Sequence, residues 1–155
     1  NYNMITIQEL KSKINKNSRL IGLDLGSKRI GVSICDEKRL IATPYKTIHY
    51  KNINSLIADI IKLLNLERNV SGIIVGNPIN MDGTLGRSSQ SVRDKCLEMS
   101  KKIDIPLCLW DERLSTQAVF NISSQLDINL SKRVKKSDEN AAAFILQGAI
   151  DFLNN

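Results

Sequence analysis

The sequence predicts an α/β fold built on one mixed sheet of five strands, with helices on both faces. Three observations lead to this expectation. Three short apolar runs follow one another early in the chain, which is typical of an antiparallel meander. The hydrophobic period then changes to that of an amphipathic helix. Two later runs are apolar without interruption, as in parallel strands that are buried on both faces.

The meander is predicted from three runs and the turn that joins the first two. Residues 19–24 form the first strand and residues 30–36, which alternate loosely, form the second. A small basic turn, residues 26–29, connects them. The third strand covers residues 40–48, where Pro44 indicates an edge position or a bulge because proline has no N–H for the ladder.

The second half of the sheet is predicted from a helix and two buried strands. Apolar residues at helical spacing make residues 52–66 an amphipathic helix. Residues 72–76 and 105–110 are continuous apolar runs of strand length. Trp110, in the second of these runs, is expected to be buried.

Further helices are expected between and after these strands. Ser88 or Ser89 is expected to cap a helix that runs to residue 102, because serine side chains accept hydrogen bonds from first-turn amides. Another helix is expected over residues 115–126, with Ser115 as its cap. The last helix spans residues 138–153 and turns an apolar side inward.

Length and composition indicate one soluble domain. The chain has 155 residues, of which 42% are hydrophobic and 25% charged. We expect residues 1–18 to be an N-terminal extension and residues 19–155 a single domain. No apolar run approaches the roughly 20 residues of a membrane span, and the polar start lacks the apolar core of a signal peptide. A cytoplasmic protein without a membrane partner is therefore expected.

The cysteines and the histidine do not indicate a zinc site. Cys35, Cys96 and Cys108 are widely spaced and lack the pairing of zinc ligands, so we expect them to be reduced and structural. His49, the only histidine, falls at the end of a predicted strand and is expected at the surface. A zinc enzyme is not expected.

The net charge of the chain favours a polyanionic partner. The sequence carries a formal charge of +6 and a pI near 9.3. Nucleic acid is the common partner of a basic domain, although a lysine-rich composition also serves solubility alone. The net charge is therefore compatible both with a nucleic-acid partner and with a role in solubility alone.

Four acidic residues stand at positions where they can meet. Asp24 lies inside an apolar strand, where a carboxylate is costly unless a cation compensates its charge. Asp111 and Glu112 end the last predicted strand, and Asp138 opens the last helix. In open α/β sheets the functional site lies at the carboxyl ends of the strands. Convergent carboxylates suit a hard cation such as Mg²⁺.

Each acid except Asp24 also has an ordinary structural interpretation. Asp138 could simply complement the dipole of the helix it begins. Asp111 and Glu112 could pair with Arg113 or with the lysine-rich surface. Asp24 is harder to explain in this way because its neighbours in the sequence are apolar.

Four motifs in the same order resemble the YqgF/RuvX family. They read LDLGSKRIGV at residues 23–32, VGNPINMDG at 75–83, DERLS at 111–115, and DENAA followed by ILQ at 138–147. The motifs cover the chain from about residue 19 to residue 153. The resemblance implies an RNase H-like fold related to that of Holliday junction resolvases.

The resemblance also implies a function and a set of site residues. It implies a bacterial cytoplasmic nuclease that takes part in processing the 5′ end of precursor 16S ribosomal RNA. Asp24, Asp138 and one acid of the Asp111–Glu112 pair are implied as metal-binding catalytic groups. We favour Glu112 for the third position, although strand alternation alone does not say which of the two points inward. The metal would be Mg²⁺ or Mn²⁺, with two ions about 4 Å apart when substrate is bound.

Basic and amide side chains near these acids are candidate substrate contacts. Lys28 and Arg29 follow the first strand, and Arg113 follows the acidic pair, so we expect all three to bind phosphates next to the metals. Their other interpretation is that they neutralise the acidic cluster, and both roles are compatible. Asn77 is a further candidate because it opens the glycine-rich segment 77–86.

A basic run leads directly into Asp138. Residues 132–136 read KRVKK, which is equally typical of a solvated loop and of a backbone contact with nucleic acid. Aromatic residues are few, so a base-stacking platform for single strands is not evident.

Three functions remain open from the sequence. The first is a metal-dependent endonuclease acting on structured RNA, with precursor 16S rRNA and the assembling small ribosomal subunit as partners. The second is cleavage of structured DNA at a four-way junction, which the same chemistry permits and which a stable dimer would favour. The third is an RNA-binding ribosome-assembly factor that does not cleave.

Overall fold

The computed structural model describes residues 3–78, 83, 86–114 and 137–155. Within these residues the strands are β1 (Met4–Ile5), β2 (Arg19–Leu25), β3 (Arg29–Cys35), β4 (Ala42–His49), β5 (Val70–Asn77) and β6 (Leu107–Asp111). The helices are α1 (Ile7–Lys13), α2 (Ile53–Leu66), α3 (Arg87–Lys102) and α4 (Asp138–Leu153). The expected helix 115–126 and the basic run 132–136 lie outside the described residues.

The strands form one mixed sheet in the order β1-β6-β5-β2-β3-β4. The β2–β3 and β3–β4 pairs are antiparallel, and the β2–β5, β5–β6 and β1–β6 pairs are parallel. The predicted meander and parallel half are thus confirmed. The predicted count of five strands is wrong, because Met4–Ile5 adds a sixth strand beside β6.

The order of the sheet places the ends of three strands together. Strand β2 lies in the middle, with β3 on one side and β5 on the other, and β6 lies beyond β5. Because β2, β5 and β6 run parallel, their carboxyl ends share one edge. Asp24, Asn77 and Asp111 stand at this edge.

Helices lie on both faces of the sheet, as predicted, with two of the described helices on each. Helices α2 and α3 pack on one face through a cluster that includes Ile60, Met99 and Leu23. Helices α1 and α4 pack on the other face through a cluster that includes Leu10 and Leu146. Alternate residues of each strand therefore belong to opposite clusters.

Trp110 is buried between β6 and α4, as expected. Its ring makes an edge-to-face contact with Phe152 at a centroid distance of 5.8 Å. It shares the α4 face with Cys108, whereas Leu107 lies on the α3 face. This alternation determines which face of the sheet each of the following acidic residues, Asp111 and Glu112, points to.

Helix α3 begins differently from the prediction. Its N-cap is Gly86, which makes no side-chain capping bond, and the helix starts at Arg87. Neither Ser88 nor Ser89 is the cap. Ser89 is fully buried and its hydroxyl donates to Asn77 Oδ1 at 2.7 Å. The serine therefore joins the helix to the end of β5.

The N-terminal segment packs against the rest of the sheet. Asn3 donates from its side-chain amide to the carbonyl of Ser100 at 3.2 Å and to that of Ile103 at 2.6 Å. Thr6 caps α1 through a capping box with Glu9. Leu10 is fully buried in the α4-side cluster.

The cysteines and His49 lie as expected. All three cysteines are free thiols in buried positions. Burial raises the pKa of Cys96 and that of Cys108 to about 12, so both thiols stay protonated. His49 ends β4 and is exposed. Among the described residues, no helix has the length and apolar character needed to span a membrane.

Candidate active site

Asp24 lies on the α4 face of β2, near the carboxyl end of the strand. Gly22, two residues earlier, touches α4, because a Cβ at that position would stand 2.7 Å from Leu146 Cβ. Leu23 points to the opposite cluster. Since side chains alternate along a strand, Asp24 faces α4 together with Gly22. Its partner across β3 is Gly31.

Asp138 reaches the same place because α4 begins directly on top of Gly31. A Cβ at Gly31 would stand only 1.8 Å from the carbonyl oxygen of Asp138. Ser137 caps the helix by accepting a hydrogen bond from the Asn140 N–H at 3.1 Å. Glu139 accepts a hydrogen bond from the Thr47 hydroxyl at 3.0 Å. The first turn of α4 is therefore fixed against both β3 and β4.

The electrostatics of Asp24 reflect this proximity. Burial raises the pKa of its carboxyl above the usual value, and the negative charge of Asp138 raises it further. Two carboxylates that repel each other at a partly buried position are destabilising in the absence of a compensating cation. Asp24 and Asp138 therefore form an acidic pair that favours a positive ion.

Glu112 turns toward the same face. A Cβ at Gly76 would stand 3.2 Å from both Cγ and Cδ of Glu112 and 2.5 Å from Ile145 Cδ1 on α4. In the ladder Leu23 pairs with Val75, so Gly76 lies beside Asp24, one residue further along. The Glu112 side chain thus lies over β5 next to Asp24.

Asp111 faces the other way and is engaged by Arg113. It follows Trp110, which faces α4, so alternation directs Asp111 to the α3 face. The guanidinium of Arg113 donates from Nη2 to Oδ2 at 2.7 Å and from Nε to Oδ1 at 3.1 Å. These hydrogen bonds hold the pKa of Asp111 below its usual range. Of the two acids, Glu112 shares a face with Asp24 and Asp111 does not.

Asn77 is also separated from the carboxylates. It is 4% exposed, and its side chain accepts the hydrogen bond from Ser89 on α3. Asn77 pairs with Asp111 across β6, so both lie on the α3 side of the sheet. The structure gives Asn77 a role in attaching α3 to β5.

The basic candidates occupy different positions. Lys28 lies exposed in the turn between β2 and β3. Arg29 binds Asp138, with 2.8 Å between Nε and Oδ2, and its side chain remains 61% exposed. Arg113 reaches toward the loop after β5, where its Nη1 would stand 3.7 Å from a Cβ on Gly83. Arg29 is thus bound to Asp138, Lys28 precedes it in the exposed turn, and Arg113 is bound to Asp111.

Comparisons with known proteins identify the family of the chain. Residues 18–152 match the family described as "RuvX: Holliday junction resolvase". The chain belongs to this family. A relative from Pelagibacter ubique (strain HTCC1062), named "Putative pre-16S rRNA nuclease", is 65% identical over 98% of this chain and 100% of its own length. A relative of the same name from Rhizobium meliloti (strain 1021) is 38% identical over 97% of this chain and 90% of its own.

Solved structures confirm the RNase H-like resolvase fold. Thermus thermophilus RuvC in complex with a Holliday junction substrate superimposes with a TM-score of 0.59 and 13% identity, covering 84% of this chain and 91% of that one. The yeast mitochondrial Holliday junction resolvase Ydc2 gives a TM-score of 0.53 at 13% identity, covering 96% of this chain and 84% of that one. At these identities the likeness shows the fold alone.

The carboxylates of this RuvX-family chain have the donor chemistry of a divalent-cation site, although in the described residues they are not gathered as closely as metal ligands are. Nucleases of this fold generally use such ions, and carboxylate oxygens are the ligands that Mg²⁺ and Mn²⁺ prefer. Throughout residues 3–78, 83, 86–114 and 137–155, no three His, Cys, Asp or Glu side chains are grouped so that they could hold a metal. Asp138 is bound to Arg29 instead. An ion pair with one partner this exposed contributes only about 0–1 kcal/mol, so a cation can replace the guanidinium at little cost.

Sequence reasoning missed several residues that organise the site. Gly31 has a recognisable signal, since a glycine inside a strand pattern often marks a close backbone approach. Tyr50 and Lys95 hold the turn between β2 and β3, and neither has a signal in the sequence. Their contribution depends on packing between β4, α3 and that turn.

Replacing Asp24 with asparagine should stabilise the protein in EDTA. The pKa of Asp24 is higher in the folded protein than its ordinary value of 3.8. Its charged carboxylate therefore destabilises the folded state. This destabilisation is complete above the raised pKa and disappears below 3.8. At pH 7 we expect Asp24→Asn to unfold about 3 °C higher than the wild type, a gain of about 1 kcal/mol. Thermal unfolding followed by circular dichroism measures this difference.

The pH and metal dependence of that difference provides the control. The difference in melting temperature between Asp24→Asn and the wild type should become smaller as the pH falls through the raised pKa of Asp24 toward about 4. Added Mg²⁺ or Mn²⁺ should raise the melting temperature of the wild type more than that of Asp24→Asn. An Asp24→Asn protein that melts below the wild type in EDTA at pH 7 contradicts the prediction.

Proposed function

We propose that this protein is a metal-dependent nuclease that hydrolyses phosphodiester bonds in precursor 16S rRNA during maturation of its 5′ end. One observation carries the proposal: Asp24, Glu112 and Asp138 come from three separate elements and turn to one face at the carboxyl ends of the strands. The names of the relatives supply the choice of RNA. A ribosomal substrate implies work in the cytoplasm, in contact with the assembling small ribosomal subunit.

The three carboxylates would hold Mg²⁺ or Mn²⁺. Bound there, up to two such ions supply the Lewis acidity that activates a water and stabilises the leaving oxygen of a phosphodiester. Asp24 gives the site a carboxylate on a rigid central strand. Glu112 directly follows β6 and Asp138 is the first residue of α4, so the three carboxylates are positioned by different elements.

The basic residues near these acids would bind the substrate. Lys28 is exposed in the turn that follows β2, the strand of Asp24, and suits a phosphate contact. Arg29, once Asp138 coordinates a cation, has a free guanidinium fork at the same edge, which suits bidentate binding of a phosphate. Arg113 is bound to Asp111 and reaches toward the loop after β5, and Asn77 is bound to Ser89 on α3. We therefore propose no direct substrate role for either residue.

Cleavage of a DNA four-way junction is the second candidate. The family description names a Holliday junction resolvase, and the fold is shared with resolvases. Cutting a symmetric junction needs two active sites, so this candidate requires a dimer. The RNA candidate makes no such demand.

The test compares both substrates directly. A labelled RNA containing the 5′ precursor region of 16S rRNA and a labelled four-way DNA junction are incubated with the wild type and Asp24→Asn in Mg²⁺, Mn²⁺ and EDTA. Asp104→Asn, an exposed acid outside the site, is the matched control. We expect metal-dependent cutting of the RNA by the wild type and by Asp104→Asn, with loss in Asp24→Asn of about three orders of magnitude.

Other outcomes would assign a different function. Junction cutting without RNA cutting identifies a resolvase. Binding of RNA by both forms without cutting by either identifies an assembly factor.

A further inference from the structure

Two neighbouring loops form a single edge beside the carboxylates. Residues 26–29 connect β2 to β3, and residues 49–51 end β4 and lead to α2. They adjoin because Arg29 pairs with His49, and the Tyr50 N–H donates to the carbonyl of Lys28 at 3.0 Å. We call residues 26–29 and 49–51 together the basic lip.

The basic lip is held in one conformation from two sides. The Tyr50 hydroxyl donates a hydrogen bond to the carbonyl of Gly26. Lys95, from α3, donates to the same carbonyl at 3.3 Å, and its ammonium lies 5.7 Å from the centre of the Tyr50 ring. Gly26 also donates to the carbonyl of Arg29 at 2.9 Å, which closes the turn.

The charge of the basic lip suits a polyanion. Lys28, Arg29 and Lys51 are exposed, and His49 lies exposed between them. Lys95 adds a fourth cation at the base of the lip. Of the acidic residues in the described site, Asp138 contacts the basic lip through Arg29, whereas Asp111 on the α3 face is bound to Arg113. Lys28 and Lys51 present their charges to solvent, and Lys95 is partly buried against the Gly26 carbonyl.

We propose that the basic lip binds the sugar–phosphate backbone of the nucleic acid beside the cleavage site, with Lys51 as a direct phosphate contact and Tyr50 and Lys95 as positioning residues. The proposal rests on the nuclease function above. It extends the substrate surface from the turn after Asp24 to the end of β4. A contact of this kind does not read base sequence.

Lys51 tests the direct contact. Affinity for the labelled precursor RNA is measured by fluorescence anisotropy in EDTA, over a series of salt concentrations. We expect Lys51→Gln and Lys28→Gln each to raise Kd roughly tenfold and to reduce the slope of log Kd against log salt by about one. Lys101→Gln, an exposed lysine at the far end of α3, is the matched control and should leave both values unchanged.

Tyr50 and Lys95 test the positioning role. Tyr50→Phe removes one hydroxyl and no charge, so it should raise Kd while leaving the salt slope as in the wild type. Tyr45→Phe makes the same change on β4, outside the basic lip, and should have no effect on Kd. Lys95→Met should raise Kd, and Lys95→Arg should restore it, since an arginine can still donate to Gly26.

The outcomes separate this proposal from the nuclease function. If the wild type cleaves and binds RNA while Lys51→Gln and Lys28→Gln behave as Lys101→Gln does, the basic lip is not a contact and only this inference is overturned. If Tyr50→Phe matches Tyr45→Phe, the positioning role is overturned. A wild type that binds neither RNA nor junction overturns both proposals.

Discussion

Glu112→Gln should abolish cleavage, whereas Asp111→Asn should reduce it by less than about tenfold. Glu112 lies over Gly76 on the face of Asp24, so a neutral amide there removes a carboxylate from the acidic group. Asp111 lies on the other face and is engaged by Arg113. We expect a fall in kcat of about three orders of magnitude for Glu112→Gln and of less than about tenfold for Asp111→Asn.

Each variant is the matched control for the other, because the two positions are adjacent and both changes replace a carboxylate with its amide. Cleavage of the precursor RNA under single-turnover conditions gives the rate, and circular dichroism confirms that each variant folds. A larger loss of rate in Asp111→Asn than in Glu112→Gln would show that the assignment from strand phase is wrong.

Gly31→Ala should be the most damaging small substitution in the described chain. The new Cβ would stand 1.8 Å from the carbonyl oxygen of Asp138 and 2.9 Å from the nitrogen of Glu139, and backbone atoms cannot rotate away. We expect a loss of about 3 kcal/mol in the free energy of unfolding, a fall in Tm of about 10 °C, and loss of cleavage because Asp138 is displaced.

Gly72→Ala on β5 is the matched control. A Cβ there would meet Leu10 Cδ1 and Leu20 Cδ2, each at 3.1 Å, and the ends of leucine side chains can adjust. Its cost should be less than about 1 kcal/mol. Urea unfolding of the three proteins measures the difference. Equal stability of Gly31→Ala and Gly72→Ala would contradict the close approach of α4 to β3.

Local patterns were sufficient to predict most of the elements. The helix predicted at residues 52–66 begins one residue later, because Asn52 is its N-cap. The last helix was predicted with the bounds that it has, Asp138–Leu153. Both carry the hydrophobic period and end signals that local sequence determines.

Features that depend on distant partners were not predictable. Met4–Ile5 is too short to show a period and is a strand only because β6 lies beside it. Ser89 has the chemistry of a helix cap, but burial against Asn77 decides its role.

The choice between Asp111 and Glu112 was open for a related reason. Strand β6 is apolar on both faces, so the sequence contains no alternation from which its phase can be read. The structure supplies that phase through the contacts of Trp110 and Cys108 with the α4-side cluster.

The N-terminal edge of the sheet has a consequence for the order in which the chain can fold during synthesis. Asn3 donates hydrogen bonds to the carbonyls of Ser100 and Ile103, which lie 97 and 100 residues further along the sequence, and β1 pairs with β6. During synthesis, β1 therefore leaves the ribosome long before β6 has been made and cannot pair with it until then. The pairs β2–β3 and β3–β4 join strands that are neighbours in the sequence, so the meander can form before β2 pairs with β5. The residues of β1 are thus translated long before β6 and are among the last of the described residues to reach their native positions.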